Sequence, residues 1–330
     1  MTEFSTLDDL TALARDALAR NGAAPLAAAS VARALVAAEA DGFKGHGLSR
    51  LPSYIAQLRT GKVDGAAIPN VAQPRPAALV IDAGLGFAYP ALDLAVARLP
   101  DLARAQGIAC AAITRSHHCG SAGLFVEALS RQGLVALLFA NTPAAMAPWG
   151  GNRAVLGTNP IAFACPREGG QPIVVDMALS TVARGNIVNA AKKSEAIPNN
   201  WAFDADGKPT TDPKRALEGT MAPLGDAKGI ALALMVELLA AGLTGANFAS
   251  EASSFLDDKG GAPGTGQLLI AIDPTAFAGN ALPRFAALAA MIEGQEGARL
   301  PGSRRIGARD QAQRTGVKVD QGLLRDIAAL

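Results

Sequence analysis

The sequence predicts an α/β protein, in which a domain of alternating helices and strands is carried by a helical unit built from both ends of the chain. Three observations lead there. Between residues 78 and 140, short apolar runs alternate with longer segments of helical spacing; alanine and leucine recur at helical spacing near both termini; and proline and glycine mark the joins. The 330 residues suffice for a large core.

Taken in order, residues 6–21 and 27–41 read as helices, the first ended by Asn21-Gly22 and the second preceded by Pro25. A third at 49–60 is closed by Gly61. Segment 62–76, with Pro69, Pro74 and Pro76 in or beside it, suits neither a regular helix nor a central strand and reads as a connector, with a boundary near residue 72. Strands are expected at 78–82, 108–114 and 134–140, and helices at 90–106 and 122–131, stopped by Gly107 and Gly133. Further strands at 162–165 and 173–176 precede a helix from Ser180, a surface stretch at 197–219, a buried core helix after Lys228 and a strand at 267–272. Helices at 283–297 and 319–330 complete the chain. The expected division is a helical part at 1–72, an inserted α/β domain at 73–282 and a second helical part at 283–330.

Thirty basic and 29 acidic residues leave a net charge of +1. No long-range field draws this chain to nucleic acid or an anionic membrane, so a small-molecule partner is expected. Cys110, Cys119 and Cys165 are odd in number and lack CxxC spacing, which makes neither a disulfide framework nor a zinc site. Reduced thiols and a cytoplasmic location are expected. The opening MTEFSTLDDL has no basic segment followed by an apolar run, hence no visible leader. The apolar run Ile230–Leu243 contains Glu237 and is shorter than the roughly 20 residues of a membrane span.

Chemistry concentrates in KGHGLSRLPSY, residues 44–54. His46 stands between two glycines and Arg50 follows four residues later, a proton donor beside a cation suited to a carboxylate. As a loop histidine and a helix-surface charge the two would need no function. Gly84-Leu85-Gly86 begins like a dinucleotide fingerprint but has Tyr89, followed by Pro90, where the third glycine belongs, and reads as a turn. Ser116 to Gly123, SHHCGSAG, lies between a strand and a helix, where free amides favour an anion such as a phosphate. Three adjacent residues seldom converge on one metal ion, so contact with a cofactor or substrate is the better reading. Thr158, in the turn Gly157-Thr158-Asn159-Pro160, could meet a polar ligand or serve the turn alone. Asp176 ends an apolar strand and could touch a ligand or cap the next helix. Lys228-Gly229 opens the apolar helix, where the lysine is either a phosphate contact or solvated. Arg304 and Arg305 follow Pro301-Gly302-Ser303 on a turn and suit a phosphomonoester, or form a surface charge pair.

In combination these motifs resemble the type 2 malate/L-lactate dehydrogenases, which use nicotinamide cofactors without a Rossmann fingerprint. GHGLSRLPSY, SHHCGSAG, GTNPIAF, VVDMALSTVARG, TTDP, KGIALALMVELLAAGLTGA and LPGSRR occur in the family's order across nearly the whole chain. Within the family the chain is most similar to the NADPH-dependent reductases of delta-1-piperideine-2-carboxylate and delta-1-pyrroline-2-carboxylate. The resemblance implies a non-Rossmann oxidoreductase fold, reduction of a cyclic imino acid by NADPH with NADH as the alternative, and a homodimer. It also implies His46 as proton donor and Arg50 and Thr158 as substrate contacts. His118, Cys119, Gly120, Ser121 and Ala122, then Asp176, Met177 and Ala178, Lys228 and Gly229, and Arg304 and Arg305 become cofactor contacts. Gly45 stands where those reductases have serine, and Asn186 where they have aspartate. That relay is therefore not carried over, and Asn186 or Lys44 is left as the support for His46. A malate- or lactate-type 2-hydroxyacid dehydrogenase is the nearest rival, and an inactive ligand-binding homologue is the rival from another class.

Overall fold

The computed structural model describes residues 2–330. The N-terminal strand β1 (Thr2–Ser5) leads into helices α1 (Leu7–Arg20), α2 (Pro25–Ala40) and α3 (Leu51–Arg59). Thr6 caps α1 by accepting the Asp9 amide at 3.1 Å, and Asp8 and Asp9 complement the helix dipole. Strands β2 (Asn70–Arg75) and β3 (Ala78–Asp82), helix α4 (Ala88–Gln106), strand β4 (Ile108–Ser116), helix α5 (Gly123–Ser130) and strand β5 (Val135–Ala140) follow the expected alternation. Next come β6 (Ile161–Cys165), β7 (Ile173–Met177), α6 (Arg184–Lys193), β8 (Ala202–Phe203), α7 (Pro213–Glu218), β9 (Thr220–Met221) and α8 (Ala227–Glu237). Strand β10 (Thr265–Ile272), α9 (Ala281–Glu293), α10 (Ser303–Thr315), β11 (Val317–Asp320) and α11 (Gln321–Ala329) complete the order. No described helix is long and apolar enough to cross a membrane.

Seven strands form one sheet in the order β2-β3-β4-β10-β5-β6-β7. Only β3 and β4 run parallel; every other neighbouring pair is antiparallel. Pro74 is tolerated because β2 is an edge strand, so the residue-72 boundary falls inside the sheet. The far boundary, between 282 and 283, falls inside α9.

The strands alternate in period two, and each face carries its own core. Ala109, Ala111 and Ile113 of β4 join a cluster that runs through α4 and α5 and on into Leu10, Leu35 and Leu51 of the N-terminal helices. Cys110 and Ala112 face a second cluster with Ile187, Met221 and Val236. The terminal helices and one face of the sheet thus share a continuous core. Strand β1 pairs with β11, and α11 lies at the end of α1, where Asn21 Nδ2 and Arg59 Nη2 donate to Leu330 O at 2.8 and 3.0 Å.

Three local expectations are corrected. No helix starts at Ser180, whose hydroxyl bonds the Val182 carbonyl; α6 begins at Arg184. The helix after Lys228 is buried on one side only, with exposures on the other from 38 % at Met235 to 56 % at Leu238. Residues 303–315 form α10, whereas the sequence suggested a turn there.

Candidate active site

Three loops leave the same end of the sheet. Ser116 at the end of β4 lies opposite Thr265, Ala140 at the end of β5 opposite Gln267, and Ile161 is flanked by Phe139 and Met177. Loops 117–122, 141–160 and 178–183 therefore open on one edge, carrying His118 to Ala122, Thr158 and Ala178 of the residues marked in the sequence. Strand ends at one sheet edge are a common place for a ligand.

His46 reaches the site on a short, tightly held segment. Two single turns of 3-10 helix, Lys44–His46 and Leu48–Arg50, join α2 to α3. The buried Glu39 carboxylate accepts the Leu48 amide at 3.0 Å, and a Cβ at position 47 would run into its Oε2, so any other residue there would displace that carboxylate. Burial pushes Glu39 above the usual carboxylate range, against the pull of that amide and of Lys44. His46 is half-buried and stacks on His118 with ring centroids 5.6 Å apart and planes at 23°. Burial and the Arg50 charge lower its pKa from 6.5 to about 4, so in the resting protein this imidazole is neutral near pH 7. Arg50 Nε donates to Gly45 O at 2.7 Å, which leaves the two terminal nitrogens for a carboxylate. Lys44 Nζ faces Lys318 O at 3.4 Å, while Asn186 is exposed on α6 without a side-chain hydrogen bond.

What supports His46 is His118 and the layer behind it. Tyr54 Oη lies 2.6 Å from His118 Nδ1 and 3.0 Å from Tyr89 Oη. Phe255 packs on both His117 and His118, at 5.1 and 5.2 Å between centroids. Burial lowers both of these histidines, with Lys62 and Arg50 adding to it at His117, which falls to about 3, and Arg50 and His46 adding to it at His118. The Phe255 loop is clamped from below: buried Lys62 Nζ donates to Ser254 O, Asp257 O and Lys259 O at 2.7, 3.0 and 2.6 Å. Gln57 Nε2 adds bonds to Phe255 O and Asp257 O. An ammonium ringed by carbonyls is a well-satisfied buried charge.

The anion site expected at the start of α5 already holds a protein carboxylate. Asp176 Oδ2 accepts the Gly123 amide at 2.8 Å and the Ser121 hydroxyl at 2.9 Å. Asp176 therefore anchors α5 and does not cap the helix that follows it. Burial raises its pKa, partly offset by that amide, Ser121 and Arg305. Cys119 is buried and pushed up to about 12, an unreactive thiol. Gly120 has φ of +66°, and a Cβ there would meet Tyr89 Oη.

Arg305 is likewise committed. It is 5 % exposed and bonds Glu127 Oε2, with its Nε 3.4 Å from Asp41 Oδ2. Arg309 bridges the same two acids at 2.6 Å each. The paired-guanidinium surface turn is thus corrected to one buried structural arginine and one exposed arginine. Arg304 is exposed and, among the described residues, makes no side-chain hydrogen bond or ion pair.

The third group is tied together through backbone. Thr158 O accepts the Leu179 amide at 2.7 Å, and Leu179 O accepts the Leu224 amide at 2.8 Å. Gly229 packs so closely on Leu224 O that a Cβ would not fit. Thr158, Met177–Ala178 and Lys228–Gly229 are thus neighbours along one strip, with Met177 and Lys228 exposed. Thr142 Oγ1 accepts the Thr158 amide at 2.9 Å, and buried Glu237 holds Asn141 and Asn159 beneath at 3.2 and 2.7 Å. Tyr54, Tyr89, Glu39, Lys62 and Thr142 were not singled out from sequence; only the glycines beside His46 hinted at the close approach of Glu39. Among the described residues no three His, Cys, Asp or Glu side chains group as a metal site.

The mixed α/β fold with its seven-stranded sheet is that of a known oxidoreductase family, as comparison with known proteins shows. The chain belongs to the malate/L-lactate dehydrogenase family, whose model matches residues 5–328. It is 50% identical over 306 residues, 92% of this chain and 91% of the other, to the (2R)-3-sulfolactate dehydrogenase (NADP(+)) of Chromohalobacter salexigens. It is 40% identical to the delta(1)-pyrroline-2-carboxylate reductase of Pseudomonas fluorescens, with both chains fully covered. The crystal structure of delta1-piperideine-2-carboxylate reductase from Pseudomonas syringae pv. tomato superposes with a TM-score of 0.95 at 39% identity, covering 99% of each chain.

Proposed function

We propose that this protein reduces a small cyclic imino acid, delta-1-pyrroline-2-carboxylate or delta-1-piperideine-2-carboxylate, with NADPH in preference to NADH. The observation that carries the reading is His46 and Arg50 on one short segment, with a neutral imidazole beside a guanidinium that has two nitrogens free. A reduced nicotinamide supplies the hydride that reaches C2. Arg50 holds the substrate carboxylate by paired hydrogen bonds and Thr158 offers its hydroxyl. His46 gives a proton at the ring nitrogen, and where the imine is already protonated a neutral His46 suffices to orient it. The carboxylate also offsets the Arg50 charge that depresses His46, which lets the imidazole take up a proton in the complex.

The donors present fit a dinucleotide with a 2′-phosphate. Among the described residues Arg304 and Lys228 are exposed cations without partners, and Met177 presents an exposed apolar surface at the strand end. Arg304 is assigned to the 2′-phosphate; Arg305 is not. We assign the exposed face with Leu232, Met235 and Leu238 to a homodimer contact, the helices of both termini to one unit against the sheet, and the protein to the cytoplasm.

A second reading rests on the 50% identity to a sulfolactate dehydrogenase and on the same neutral His46, which can accept the hydroxyl proton when a 2-hydroxy acid is oxidised. One experiment separates the two: NADPH and NADH oxidation with both cyclic imines, pyruvate, oxaloacetate and 3-sulfopyruvate, measured side by side. Turnover of the imines is expected to dominate. Turnover of the keto acids alone would replace the first reading with the second. In either case His46→Ala is expected to lower keto-acid turnover by roughly a hundredfold to ten-thousandfold and imine turnover by less.

A further inference from the structure

We propose that Tyr89 and Tyr54 are positioning residues that lock His118 in one form, the neutral imidazole with its hydrogen on Nε2, so that a fixed N–H donor faces an acceptor oxygen of the ligand held against His46. The inference rests on reading this site as the seat of hydride transfer. It comes from counting protons in a buried chain of three groups.

Tyr54 and Tyr89 are 0 % and 1 % exposed, so neither phenol can turn to water. Tyr89 Oη has a single hydrogen-bond partner, Tyr54 Oη at 3.0 Å. Tyr54 Oη has two, Tyr89 Oη and His118 Nδ1 at 2.6 Å. Each phenol carries one hydrogen to donate. If Tyr54 gave its hydrogen to Tyr89, the hydrogen of Tyr89 would be buried with no acceptor, which folded proteins avoid. The arrangement that uses both hydrogens runs one way: Tyr89 donates to Tyr54, and Tyr54 donates to His118 Nδ1. An Nδ1 that accepts carries no hydrogen, so the neutral ring carries it on Nε2.

The surroundings keep all three groups in these states. Burial holds Tyr54 up at about 12 and Tyr89 well above its usual range, so both remain phenols. Burial, Arg50, His46 and His117 all disfavour a second proton on His118. Its Nε2 has no protein partner yet is not among the fully buried unpartnered atoms, in contrast to both ring nitrogens of His117. With His46 stacked at 5.6 Å, that free N–H lies beside the proposed reacting group. The acceptor oxygen belongs to the substrate carboxylate or carbonyl, or to the nicotinamide carboxamide.

The test uses the full-length protein with ¹⁵N-labelled histidine, in wild-type, Tyr54→Phe and Tyr89→Phe forms. NMR of the resting protein reads which nitrogen of His118 is protonated; NADPH affinity and the KM and kcat for the turned-over substrate read the consequence. His118 is expected to be Nε2-protonated and unchanged from about pH 5 to 8. Tyr54→Phe should mix the tautomers and cost about tenfold, the value of one such hydrogen bond, while Tyr89→Phe, which leaves the donor to Nδ1 in place, costs less. A loss seen in NADPH affinity alone identifies the carboxamide, and a loss in KM with cofactor affinity intact identifies the substrate. An Nδ1-protonated His118 in the wild type, a larger effect from Tyr89→Phe, or an unshifted tautomer in a folded Tyr54→Phe protein would overturn the proposal. Inactivity on every substrate would sink the functional reading alone, because the tautomer is read without turnover.

Discussion

Adjacent arginines at the start of α10 should respond in opposite ways to replacement by alanine. Arg305 is held between Glu127 and Asp41, and the three side chains are 4 %, 3 % and 0 % exposed. Removing one member of such a buried set costs roughly 3–5 kcal/mol, and because Arg309 still neutralises both acids the lower end, about 3 kcal/mol, applies. With about 2.1 cal/mol/K per residue over 330 residues, the unfolding entropy is about 0.7 kcal/mol/K, so Tm should fall by about 4 °C. Arg304 is exposed and unpaired, and its replacement should leave Tm unchanged. It should instead weaken NADPH by about tenfold to 150-fold, the 1.5–3 kcal/mol of a charge-assisted bond, with little change for NADH. Calorimetry and fluorescence titration of both cofactors on both variants make the comparison. Arg305→Ala with an unaltered Tm and a selective loss of NADPH would refute the assignment of its guanidinium to Glu127 and Asp41. Equal losses for the two cofactors in Arg304→Ala would refute its assignment to the 2′-phosphate.

Arg50→Ala should mainly raise KM, since the carboxylate is bound in ground and transition states alike, and should move the lower limb of the pH profile upward because one cause of the low His46 pKa is gone. Acid stability follows the histidines: with folded values of about 4 at His46 and about 3 at His117 against 6.5, the unfolded chain binds protons first, so their contribution is full above pH 6.5 and is lost as pH falls through those values. His117→Leu should therefore flatten stability against pH below 6.5 by about 1.4 kcal/mol per pH unit in urea titrations, and an unchanged slope would mean that His117 is already protonated. Lys62→Met strips the donor from three carbonyls and should cost about 2–4 kcal/mol and raise KM as Phe255 loosens over His118; an unaltered denaturation midpoint would count against the clamp.

The sequence revealed most where burial follows a simple period. Ile108–Thr114 alternates between two cores, and the strand read there is the strand observed, extended to Ser116. Helix α10 escaped because its buried positions are Arg305 and Ala312, so the face it hides is largely ionic and leaves no apolar stripe. Helix α8 misled in the other direction, since hydrophobicity all round suggested full burial and half of it faces outward. At the site, His46 stood out because both its neighbours are glycines, and Arg50 because it follows four residues later. Their support did not, because Tyr54 meets Tyr89 and His118 across 35 and 64 residues of chain, and no local spacing encodes a contact of that range. Asp176 was marked, but the partner it found at Gly123 is 53 residues away.

The pairing of β1 with β11 bears on how the chain is made. Ser5 lies opposite Val317, so β1 cannot pair until a segment about 310 residues further along the chain has left the ribosome. At 5–20 residues per second that is roughly 15–60 s, during which α1 and α2 exist without α11 and with part of their apolar surface uncovered. Closing a loop of about 310 residues costs about 5 kcal/mol of chain entropy, which a four-residue ladder cannot supply alone. The ladder therefore closes with the help of the terminal helices, whose Ala312 and Ile327 pack into the same core as α1 and α2.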